Sequence, residues 1–293
     1  MLNYSYTPKL KDFFSIFKKL DSINLNNFII KNWCKNNKNC YKFFSRSSWI
    51  LFYLCFFKKK NKSKLVIWLP NYYCSETVIL LEKLDVQILY YDLNKDFTAD
   101  LNSLKNLSLQ SVPDIILFCN YFGKSCFISY LKDLSLKFNS WLVEDCAHCI
   151  SPDDNLGKFG DIAFFSPYKF FPVPNGAIMI SSTNFLKKND LNFFLDENKF
   201  EFHSKKILKD INFKKKNNFL FIMKWSLKKL INIFNINFPT IYNFDYSPEI
   251  QNIGSFNHPM LDGLSLKILF KYLKNINFEK EKRKKCQCYG IVI

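Results

Sequence analysis

Two short stretches of this sequence end an apolar run on groups that can do chemistry. The run SWLVEDCAH places Glu144 and Asp145 directly after three apolar residues, with His148 three positions further on, and GDIAFFSPYK closes with Ser166 and Lys169. Ligands of open α/β sheets gather beyond the carboxyl ends of the strands, so these are the positions at which to look for a site. Taken singly, each residue has a plain structural explanation. Asp145 would form an ion pair, His148 would be a satisfied, half-buried imidazole, Ser166 would open a Ser-Pro turn, and Lys169 would be one more surface lysine. Together they are what a pyridoxal phosphate (PLP) site requires. A carboxylate keeps the ring nitrogen protonated. A partly desolvated lysine amine holds the aldehyde carbon, and an imidazole can donate to the phenolic oxygen. The phosphate needs backbone N–H groups at a helix start together with hydroxyls. Phe44-Ser45-Arg46-Ser47-Ser48, just ahead of the helix-like stretch Trp49 to Phe57, offers such a start, although taken alone it reads first as an ordinary N-cap.

Positioning these groups takes a sheet. From about residue 64, short apolar runs alternate with amphipathic spacers of helical length. Leu65 to Leu69 is followed by Ser75 to Leu84, and Val86 to Tyr91 by Leu101 to Leu107. Asp114 to Cys119 is followed by Ile128 to Phe138, and then comes Trp141 to Val143. This pattern predicts buried strands joined by crossover helices: an α/β three-layer sandwich with a mostly parallel sheet and helices on both faces. Ile162 to Phe165 and Ala177 to Ile180 leave no room for a helix between them, which predicts an antiparallel excursion in the same sheet. After about residue 182 the texture turns helical, with a basic stretch from Ser204 to Phe234 and a further helix over Met260 to Leu273. The divisions that follow are an N-terminal helical segment (1–40), a large domain (41–185), and a helical linker with an incomplete small C-terminal domain (186–293).

Composition excludes several classes. Of the 293 residues, 48% are hydrophobic and only 7 are glycine and 10 proline, which rules out fibrous and wholly disordered chains. The longest apolar run, Trp49 to Phe57, is about half of what a bilayer requires, so no membrane association is expected. The N-terminus has no leader pattern, and a cytoplasmic location is the expectation. Lys and Arg exceed Asp and Glu by 42 to 25, but the excess is nearly all lysine in a chain dominated by Lys, Asn, Phe and Ile. No aromatic-interleaved basic motif accompanies it, so no nucleic-acid partner is expected. Cys146-Ala147-His148-Cys149 and Cys286-Gln287-Cys288 are too widely separated for paired metal ligands, and no metal is expected.

From Ser45 to Ser181, and more weakly to about Arg283, the chain resembles the DegT/DnrJ/EryC1/StrS family of fold-type-I PLP-dependent aminotransferases, many of which act on nucleotide-linked keto-sugars. The resemblance is carried in order by SRSSWILFYL, VIWLPNYYCSETV, YYDLNKDFTADLNSL, NYFGKS, VEDCAH and GDIAFFSPYKFFPVPNGAIMI. It implies that Asp145 pairs with the pyridine nitrogen, His148 sits by the phenolic oxygen, and Lys169 is the Schiff-base lysine. Ser166 with the turn Ser45, Arg46, Ser47 and Ser48 would hold the phosphate. Ring stacking falls to Tyr72 or Tyr73, with Tyr73 preferred. The implied reaction is ping-pong transamination from an amino donor, glutamate, to a keto-sugar, in a homodimer. Retention of the lysine favours transamination over the family's dehydratase branch, where histidine replaces it. Three positions depart from the family pattern. Ser45 stands for a glycine, Asn120 for a histidine, and Asn175-Gly176-Ala177 keeps one of two glycines. The tail KRKKCQCYGIVI loses charge and amphipathic pattern together, so the expectation is a remnant or frameshifted member that holds cofactor but turns over poorly, the alternative being a naturally short one.

Overall fold

The computed structural model describes residues 21–34, 40–60, 62–210 and 258–277, with a few isolated positions beyond them. Seven strands form one sheet: β1 (Cys40–Phe44), β2 (Leu65–Pro70), β3 (Val86–Tyr91), β4 (Ile115–Cys119), β5 (Trp141–Cys146), β6 (Ile162–Phe165) and β7 (Ala177–Ser181). Their order is β1-β7-β6-β5-β4-β2-β3. All neighbours pair in parallel except β7, which runs antiparallel to both β6 and β1. The predicted excursion is therefore a single strand, since β6 pairs in parallel with β5, Val143 opposite Ile162. The sequence reading missed β1: CYKFF is only five residues long and its alternation is faint.

Because β1 is parallel to the main set, the ends of β1, β2, β4, β5 and β6 and the start of β7 all lie along one edge of the sheet. That register delivers Ser45, Tyr72, Asp145, Ser166 and Gly176 to the same side of the molecule.

Eight α-helices are described: α1 (Ser22–Trp33), α2 (Ser47–Lys59), α3 (Ser75–Glu82), α4 (Leu101–Gln110), α5 (Ser129–Phe138), α6 (Thr183–Lys188), α7 (Glu197–Asp210) and α8 (Gly263–Lys274). Strand alternation sorts the sheet's side chains between two helical layers. On one face Ile67, Leu117, Val143, Phe164 and Met179 pack with α2, α3 and α7. On the other, Trp68, Ile116 and Leu142 meet α4 and α5, and Phe165, Ile178 and Ile180 meet α1 and α8. In α2 every residue from Trp49 to Cys55 is fully buried. A helix apolar all round must be covered on all sides, and α2 is, by the sheet, α3 and α7.

Caps fix the ends of several helices. Asp100 accepts from the Ser103 amide at 2.7 Å to start α4, and Asp262 from the Ser265 amide at 2.8 Å to start α8. The observed α8 matches the helix expected over Met260 to Leu273. Of the basic helix expected from Ser204, the part to Asp210 belongs to α7 and, apart from Met223, Ser226 and Leu227, the rest lies outside the described residues, as do the Cys286-Gln287-Cys288 motif and the tail.

Candidate active site

Strand β5 sends its two carboxylates to opposite faces. Glu144, fully buried, accepts hydrogen bonds from the amides of Gly157 (2.6 Å), Phe159 (2.9 Å) and Gly160 (3.1 Å) and from Asn120 Nδ2 (2.8 Å). It holds the loop leading into β6. Gly160 has to be glycine there, because a Cβ would lie 2.8 Å from Glu144 Cβ. Asp145 points to the other face. Its Oδ1 accepts from the Ala147 amide at 2.7 Å and its Oδ2 from the Tyr73 hydroxyl at 3.1 Å. Burial pushes the Asp145 carboxyl up, while the Lys169 charge, these hydrogen bonds and His148 pull it back.

Asp145, His148, Lys169, Tyr72, Tyr73 and Cys119 share one cavity of ≈ 340 Å³. Desolvation and the nearby Lys169 charge lower the His148 pKa from its ordinary value, against a smaller opposing pull from Asp145. Lys169 closes a 3-10 turn, Pro167–Lys169, after Ser166, and its amide donates to the Ser166 carbonyl at 2.9 Å. Its side chain is exposed, not desolvated as the chemistry of a reactive lysine suggested.

The serines lie beside this cavity, not in its lining. The Gly176 amide donates to the Ser45 carbonyl (2.9 Å) and the Tyr168 amide to the Gly176 carbonyl (3.3 Å), which ties the three loops together. The Arg46 guanidinium lies 4.1 Å over the Tyr168 ring. Ser45, Ser48 and Ser166 are buried, and their hydroxyls have no hydrogen-bond partner among the described residues. Ser45 and Ser48 flank the start of α2, whose N-cap Arg46 makes no side-chain cap bond, and Ser166 precedes Lys169 by three residues; orphaned hydroxyls there suit a group that brings its own acceptors, such as a phosphate. One donor is already used, because the Ser45 amide donates to the Pro259 carbonyl at 2.8 Å.

Tyr73 lines the cavity together with Tyr72. Its hydroxyl grips Asp145 and its ring packs against the core, while Tyr72 is 61% exposed. Sequence reasoning passed over Cys119 and Tyr121, which also line the cavity. Both follow from the strand-end rule already applied to Asp145, since they sit at the end of β4. Among the described residues no group of three or more His, Cys, Asp or Glu could hold a metal ion, and no helix is long and apolar enough to cross a membrane.

Residues 57–188 match the model of the DegT/DnrJ/EryC1/StrS aminotransferase family. Nothing among curated protein sequences matches the chain. Three solved structures are similar to it. A DegT DnrJ EryC1 StrS aminotransferase from Brucella abortus is 12% identical, with a TM-score of 0.59 over 94% of this chain and 66% of that one. Helicobacter pylori PseC, an aminotransferase involved in the biosynthesis of pseudoaminic acid, is 14% identical, with a TM-score of 0.55 over 92% and 64%. The E. coli GDP-4-keto-6-deoxy-D-mannose-3-dehydratase, solved with bound hydrated PLP, is 18% identical, with a TM-score of 0.55 over 93% and 67%. The chain thus spans about two thirds of the length of these proteins. At such identities the likeness shows the fold, the mostly parallel α/β sandwich of PLP-dependent aminotransferases. The stretch similar to the DegT/DnrJ/EryC1/StrS aminotransferase family, residues 57–188, is the one that supplies Tyr72, Tyr73, Asp145, His148, Ser166 and Lys169.

Proposed function

We propose that the protein is a PLP-dependent aminotransferase that moves an amino group from glutamate to a nucleotide-linked keto-sugar by a ping-pong mechanism, as a cytoplasmic homodimer. The observation that carries this reading is the convergence of Asp145, His148 and Lys169 on one cavity, with three buried, orphaned serine hydroxyls beside it. The residues present fit the cofactor. Ser45, Ser48 and Ser166, with Arg46, Ser47 and the start of α2, would hold its phosphate, and Asp145 its ring nitrogen. Bound there, PLP supplies an electron sink for carbon acids that the twenty side chains lack.

The chain's own groups divide the remaining work. With Oδ1 and Oδ2 each accepting one hydrogen bond, Asp145 keeps lone pairs for a proton on a ring nitrogen. The His148 imidazole can donate an N–H to a phenolic oxygen. Lys169 Nζ would hold the cofactor's aldehyde carbon, and its free amine would carry a proton between neighbouring atoms. Retention of lysine at this position supports amino transfer over dehydration. The domain reading, a large domain over 41–185 with the remainder appended, belongs to the same proposal.

The test is the donor half-reaction. With PLP present, glutamate should release 2-oxoglutarate in an amount stoichiometric with protein, and Lys169→Ala should release none. Equal release by both proteins would overturn the assignment.

A further inference from the structure

We propose that Cys146 and Cys149 form a redox-sensitive dithiol, which a hydroperoxide closes to a disulfide, and that closure weakens the grip of the cavity on its cofactor; only the second half rests on the function proposed above. Strand β5 ends in Cys146, and the Cys149 amide donates to the Cys146 carbonyl at 2.9 Å, closing a turn over Ala147 and His148. A turn of this kind keeps its end Cα atoms within about 7 Å, and a disulfide spans roughly 4.4–6.8 Å. The two thiols lie within hydrogen-bond reach of each other. Asn120 holds them both: its Nδ2 donates to Cys146 Sγ at 3.2 Å, and Cys149 Sγ donates to its carbonyl at 3.5 Å. Cys146 Sγ also donates to Glu144 Oε1 at 3.6 Å, so the proton it must shed has an acceptor in place. Two thiols are too few for a closed metal site, and among the described residues no third ligand completes one. What a Cys-X-X-Cys turn after a strand of an α/β sheet can do is redox chemistry.

Closure balances with the peroxide as oxidant. The Cys149 sulfur attacks one peroxide oxygen, the O–O bond breaks, and a water leaves carrying the thiol proton, which gives a sulfenic acid. The Cys146 sulfur then attacks that sulfur. The S–S bond forms as the S–O bond breaks, and the second water carries off the hydroxyl and the Cys146 proton. Both side chains are buried, which excludes bulky reagents but not an oxidant little larger than water, and the two residues between them, Ala147 and His148, line the cavity. The bond draws the sulfurs to about 2.05 Å, which takes the thiol donors from Glu144 and the Asn120 carbonyl and tightens the turn. That turn supplies the Ala147 amide to Asp145 Oδ1 at 2.7 Å and carries His148, so the change arrives at the two groups assigned to the cofactor ring.

The test treats the full chain, reduced and freed of reductant, with hydrogen peroxide, and maps its cysteines by mass spectrometry before PLP is titrated. Tryptic peptide 138–158, which carries both residues, should lose two hydrogens and regain them in dithiothreitol. The oxidised protein should bind PLP roughly tenfold more weakly than the reduced. Cys149→Ala should bind PLP as reduced wild type does, before and after peroxide, which separates the effect from oxidation of exposed Cys74. A dithiol left intact at peroxide doses that oxidise Cys74, or a disulfide joining any other pair, would overturn the proposal. So would equal PLP affinity in oxidised and reduced protein, or an equal loss on peroxide in Cys149→Ala. If the disulfide forms in a chain whose reduced form binds no PLP, the aminotransferase reading fails and the dithiol stands.

Discussion

The Tyr73 hydroxyl, 3.1 Å from Asp145 Oδ2, is a hold on the residue expected to meet the ring nitrogen. Removing it by Tyr73→Phe leaves the packed ring in place and takes away one hydrogen bond to a charged group, an interaction of about 1.5–3 kcal/mol. The expected outcome is roughly tenfold weaker PLP binding with a near-native melt, and a titration showing unchanged affinity would contradict it. His148 offers a pH test. Its folded pKa is depressed below the ordinary 6.5, so its contribution to stability is complete above about pH 6.5 and is lost as pH falls through the folded value. Tm measured between pH 5 and 7 should therefore fall more steeply towards acid in wild type than in His148→Gln; parallel curves would count against the assignment. Thiol chemistry gives a third check. Burial raises the Cys34 thiol to about 12 and Cys40 to about 11, and drives Cys146 well up. Only the thiolate reacts, so at pH 8 these should resist iodoacetamide while exposed Cys74, which lines the cavity, is alkylated. Bound PLP should slow that alkylation, as peptide mapping would report.

At the scale of elements, β5 is the strand that assembles the site, and its inner face depends on Glu144. Four donors converge on that carboxylate. Glu144→Ala would strand them in a dry interior and should lower unfolding free energy by about 2–4 kcal/mol in urea, and a loss under about 1 kcal/mol would show that the loop into β6 is held by other contacts. Most of these elements were legible in the sequence. The apolar runs ending at Leu69, Tyr91, Cys119 and Phe165 are strands within a residue or so of where the pattern put them, because parallel strands buried on both faces read as unbroken apolar runs. That Asp145, His148 and Lys169 share one cavity follows for the same reason, since strand ends are where such a sheet presents side chains. The rest depended on non-local pairing. β1 is defined by its ladder with β7, from Cys40 opposite Ser181 to Phe44 opposite Ala177, which no local pattern announces. The grip of Tyr73 on Asp145 and the meeting of Phe97 with Phe122 each join loops after different strands, so neither leaves a spacing to read.

For the whole molecule, the sheet edge carries the account. It gathers the ends of five strands with one parallel sense and brings loops distant in sequence within hydrogen-bond reach, from Ser45 to Gly176. The central claim is that this edge is built to hold PLP through Lys169, and the composition makes the claim demanding, because 40 lysines compete in any test that reads amines in general. The most direct measurement is borohydride reduction of the full chain with PLP kept below stoichiometry, followed by peptide mapping. The account predicts pyridoxyl label on Lys169 alone, abolished in Lys169→Ala. Label scattered over surface lysines, or concentrated on another lysine with Lys169 unmodified, would contradict it.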